Sequence, residues 1–110
     1  METMWTFKTN RFEVRWMIDE PYSLDLSWDD TGETARKLDS GEYTAFDSTV
    51  AVYLDGVEIG RDTLGDSIYE NPADFRDHFG IAHTKYGSYF SSMVDESIKR
   101  AREFMASVPA

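Results

Sequence analysis

The sequence predicts an α+β fold: an antiparallel β-sheet of four to five strands with two or three helices packed on one face. Three features predict it. Apolar and polar residues alternate near the N-terminus, an Asp-Gly turn separates two β-rich runs, and a helix-period apolar stripe lies near the C-terminus. At 110 residues, with 41% hydrophobic and 15% aromatic content, residues 1–110 read as one domain with apolar area for one core.

The first two elements are strands. Trp5 and Phe7 alternate with polar neighbours, and Lys8-Thr9-Asn10 reads as a turn. In the next run Phe12, Val14, Trp16 and Ile18 alternate with Arg11, Glu13 and Arg15, with Met17 the one departure. Asp19-Glu20-Pro21 stops this strand, because proline cannot donate to a ladder. Leu24, Leu26 and Trp28 alternate again and suggest a third strand over residues 23–28. Asp30 and Glu33 have capping-box spacing and open a short helix to about Leu38, with Gly41 just past its end.

The strongest local signal runs from Ser48 to Asp62, where Asp55-Gly56 forms a two-residue hairpin loop. In a regular register Leu54 faces Val57, Val52 faces Ile59 and Val50 faces Arg61 on one side. Tyr53 with Glu58, Ala51 with Gly60, and Thr49 with Asp62 then form a polar, acidic side. Asn71-Pro72 starts a short helix that places Phe75 and Phe79 on one face and ends at Gly80, and residues 81–86 connect it onward. The longest helix opens at Gly87 or Ser88 and runs to about Met105, with Phe90, Met93, Val94, Ile98, Ala101, Phe104 and Met105 on its apolar stripe.

Composition narrows the chemistry. The absence of cysteine excludes disulfides and thiolate metal sites and suits a cytoplasmic protein. No apolar run is long enough for a membrane span, and Met1 to Trp5 lack signal-peptide character. His78 and His83 do not have ligand-pair spacing; Asp74 and His78 do, on a predicted helix, but two ligands do not make a site. Read as a calcium loop, Asp25 to Arg36 fails at its sixth and twelfth positions, Asp30 and Arg36. No nucleophile elbow, P-loop or dinucleotide fingerprint occurs, so the expectation is a non-enzyme without a cofactor.

Charge is the distinguishing feature. The net charge is −10, and residues 19–74 alone carry 15 acids against three bases. Such a surface repels nucleic acid and anionic lipid and attracts basic proteins. Carboxylates two residues apart on a strand lie about 6.6 Å from one another, a spacing comparable with that of backbone phosphates. The expected partner-binding residues are Asp25, Asp29, Asp30, Glu33, Asp47, Asp55, Glu58 and Asp62. An ordinary solubilising face accounts for the same composition.

The stretch Gly87-Ser88-Tyr89-Phe90-Ser91-Ser92-Met93-Val94, with Gly41-Glu42-Tyr43 and Phe46 to Val50, resembles small acidic proteins carried by phages and mobile elements, anti-CRISPR proteins among them. That resemblance implies an inhibitor that occupies a basic, nucleic-acid-binding site on host defence machinery. It carries over no site residue. An immunity or antitoxin protein covering a basic nuclease would need the same electrostatics.

Overall fold

A computed structural model describes residues 1–77 and 89–108. Four strands, β1 (Glu2–Lys8), β2 (Phe12–Asp19), β3 (Thr44–Leu54) and β4 (Val57–Tyr69), form an antiparallel meander in that order. Among the described residues three helices accompany the sheet in an α+β fold: α1 (Glu33–Asp39) between β2 and β3, then α2 (Asp74–Asp77) and α3 (Tyr89–Ser107) after β4. No helix among the described residues is long and apolar enough to cross a membrane.

The alternation in β2 sets which face is buried. Val14, Trp16 and Ile18 pair with Val52, Val50 and Ser48 of β3, so these side chains share one face. Helix α3 lies across β3 and β4 on that face, burying Met93, Ser97 and Ala101. Trp16 is fully buried, packs its ring against Phe75 and Phe90, and donates its indole N–H to Ser48 Oγ at 3.1 Å. Ser97, equally buried, donates to Val50 O at 2.9 Å and is within 2.7 Å of Met93 O. Each buried hydroxyl thereby has a partner, which removes most of the cost of burying it. The opposite sheet face is covered by its own side chains: Arg15 and Arg61 flank Ala51 in the ladder, and Arg15 also lies 4.2 Å from the Tyr53 ring centroid. Their aliphatic stems explain why Ala51 is fully buried there.

The hairpin turn is as the sequence predicts. Asp55 and Gly56 both have positive φ (50° and 84°), the backbone of a primed turn, and Leu54/Val57 and Tyr53/Glu58 pair as expected. Beyond them the regular register fails. A bulge at Ile59 shifts the pairing, so Val52 faces Gly60, Ala51 faces Arg61 and Val50 faces Asp62. The reason is α3. A Cβ on Gly60 would meet Ser97 O at 2.6 Å and Ala101 N at 2.7 Å, so only glycine can face the helix there. The bulge turns Gly60 toward α3 while Ile59 stays in the core.

Other expectations are corrected. Residues 23–28 are irregular instead of a strand, with a turn at Ser27 and Trp28: Ser27 N–H donates to Asp25 Oδ1, and Asp29 N–H donates to Leu26 O. Helix α1 starts at Glu33 rather than just after Asp30, and Asp29 supplies its capping carboxylate, accepting from the N–H groups of Thr34 and Ala35. Phe104 and Met105, expected on the apolar stripe, are about half exposed, and Met105 lines a cavity with Phe12 and Val52 of the sheet. The expected features at His78, Phe79, Gly80, residues 81–86, His83, Gly87 and Ser88 lie outside the described residues.

Candidate partner-binding surface

The long connection between β2 and β3 builds the acidic end of the molecule. Residues 19–47 contain nine acids against Arg36 and Lys37, a net of −7. Asp25, Asp29, Asp30 and Glu33 all lie on this connection. Its turns are held by local polar bonds at Asp25 and Asp29. The Ser27 backbone N–H, with help from its hydroxyl, holds the Asp25 carboxyl below its ordinary range. Trp28 donates its indole N–H to Asp25 O at 2.9 Å, which fixes a ring that is 59% exposed. Tyr22, 98% exposed, follows Pro21 on the same connection.

The other predicted residues serve differently. Asp47 is a structural clamp: its two carboxylate oxygens each accept at 3.0 Å, one from Tyr22 N–H and one from Asp66 N–H. It ties the connection to β4 beside a second bulge between Phe46 and Ser48. Asp55 sits at the hairpin tip, paired with Arg11 at 2.8 Å, and that guanidinium lowers its pKa. Glu58 pairs with Arg61 at 2.6 Å. Asp62 was expected on the acidic solvent side; the bulge places it on the helix side instead, where Arg100 reaches it at 3.4 Å.

The eight acids therefore do not form one surface. The eleven residues of β3 separate the hairpin tip from the acidic end by roughly 33 Å at about 3.3 Å per residue. At the tip each acid has an arginine neighbour. At the other end Glu33 pairs with Arg36 and Lys37, each at 3.6 Å, but nine acids against those two bases leave most of the charge uncompensated. Exposed ion pairs such as Arg11–Asp55 add little stability, but they cancel the field that a distant basic partner would feel.

Sequence reading missed the other wall of the acidic end. The Thr44/Tyr69 pairing brings the end of β4 beside α1, so that Trp28, Thr34, Tyr43, Ile68, Tyr69, Glu70 and Asp74 line an open concavity of about 510 Å³. Burial, aided by Tyr89 and Asp74, raises the pKa of the Tyr69 hydroxyl. Lys37 lies 4.9 Å from the Tyr43 ring centroid and 3.3 Å from its hydroxyl. Among the described residues, no group of three or more histidine or acidic side chains is placed to hold a metal ion. No protein-family model, curated protein or solved structure matches this chain.

Proposed function

We propose that this chain is a non-catalytic, inhibitory binding protein whose acidic end docks on the basic, nucleic-acid-handling surface of a partner protein. In this reading the partner belongs to host defence machinery and the chain is carried by a phage or mobile element. The observation that carries the proposal is the net −7 of residues 19–47, gathered at one end beside two exposed aromatic rings. Uncompensated charge steers encounter with a basic surface, and exposed aromatics, Trp28 held by its indole bond to Asp25 O among them, supply the anchors that charge alone lacks. The hairpin tip, with its paired acids and arginines, is not part of the surface.

Two charge-reversed variants separate the ends. Asp30→Lys/Glu33→Lys/Glu42→Lys alters the acidic end without touching the Asp29 cap or the Asp47 clamp, and Asp55→Lys/Glu58→Lys alters the tip. In parallel pull-downs from bacterial lysate, wild type and the tip variant should capture the same basic protein and lose it at high salt. The acidic-end variant should not capture it. Equal capture by all three would sink the proposal. The identity of the captured protein separates a defence target from a nuclease held by an immunity or antitoxin protein.

A further inference from the structure

The concavity at the acidic end has a composition suited to one kind of ligand. Its walls include three aromatic rings, Trp28, Tyr43 and Tyr69, and two carboxylates, Glu70 and Asp74. Neither carboxylate has an ion-pair partner among the described residues, unlike the acids at the hairpin tip. Aromatic faces attract cations through their quadrupole, and carboxylates beside them add charge and hydrogen-bond acceptors. Lys37 already lies against the Tyr43 ring, an intramolecular instance of the same contact.

We propose that this concavity receives an arginine side chain of the protein partner. Resting on the docking function above, the assignment names the group recognised there. Arginine fits better than lysine for two physical reasons. Its planar guanidinium stacks on an aromatic face while its edge donates in a fork to a carboxylate, and it is more weakly hydrated than an ammonium. The concavity, about 510 Å³, is large enough for the whole side chain, and the indole of Trp28 is held in place before binding by its bond to Asp25 O. Pre-positioned rings reduce the ordering cost of association.

The probes are three peptides that differ only in one repeated residue: an Arg-Gly repeat, a Lys-Gly repeat and a Gln-Gly repeat. Binding is followed by tryptophan fluorescence and amide chemical shifts at about 0.15 M salt, where long-range attraction is screened beyond about 8 Å. The Arg peptide should bind more tightly than the Lys peptide, and the Gln peptide should not bind. Trp28→Ala should weaken the Arg peptide at least about fivefold. Glu70→Gln/Asp74→Asn, which keeps the side-chain shapes, should weaken it comparably, with thermal melts confirming that both variants remain folded. Failure of the Arg peptide to bind, equal binding by Arg and Lys, or indifference to both variants overturns the assignment. If these variants still capture the protein partner while reversal of Asp30, Glu33 and Glu42 abolishes capture, the arginine pocket is wrong and docking at the acidic end stands. Capture unaffected by either set removes both.

Discussion

Gly60 shows how one residue couples two elements. Its missing side chain lets the α3 backbone approach β4 within van der Waals distance, and the contact falls where Ser97 and Ala101 already present small side chains. Gly60→Ala should destabilise the fold by about 1–3 kcal/mol, because backbone atoms on both sides must move to admit the methyl group. Gly65→Ala is the internal control, since its Cβ would meet only the Asp47 side chain, Oδ1 at 3.4 Å and Cγ at 4.0 Å. Urea titration should show a lower midpoint for the first variant at unchanged slope and a smaller change for the second. Nothing in the sequence around Gly60 announces this role. A glycine in a strand signals a close approach or a bulge, and here it marks both, but the partner lies 37 to 41 residues away on α3.

Among elements, the strands carried the clearest signal. Period-two alternation in β2 and the Asp-Gly turn depend on local sterics and one-sided burial, so both are legible in a short window. The bulge at Ile59 depends on α3, and no local pattern encodes it. Leu24, Leu26 and Trp28 alternate as a strand would, yet no described strand pairs with them, and polar turns at Asp25 and Asp29 take over. Asp47 then decides where that connection rests. Asp47→Ala should free the Tyr22 and Asp66 amides, which donate to its carboxylate, so that both exchange with solvent markedly faster. Unchanged exchange at Tyr22 would show that other contacts hold the connection in place.

At the scale of the molecule, the segregation of charge was legible from counting residues, but its geometry was not. The segment 19–74 reads as one acidic band, whereas the fold sends it along the full length of β3 and back along β4. Arginines from outside that segment, Arg11 and Arg100, then neutralise its middle part at the tip and beside α3. What remains is a polarised particle, 57 × 29 × 23 Å, with its uncompensated acids and exposed Trp28 and Tyr22 at one end. Five of the eight expected binding residues, Asp25, Asp29, Asp30, Glu33 and Asp47, lie at that end, with Asp29 also needed for the α1 cap and Asp47 for the clamp on Tyr22 and Asp66. Glu70 and Asp74 join them only through strand pairing at the far end of the sheet, which no local pattern discloses.

The central claim is that the acidic end occupies a site otherwise used by nucleic acid. The direct measurement is competition: the captured partner is loaded with a labelled nucleic acid, and the chain is titrated in while the label is followed by anisotropy. Wild-type chain and the Asp55→Lys/Glu58→Lys variant should displace the label fully, with the displacing concentration rising steeply with salt. The Asp30→Lys/Glu33→Lys/Glu42→Lys variant should not displace it. A stable ternary complex of partner, nucleic acid and wild-type chain would contradict the claim.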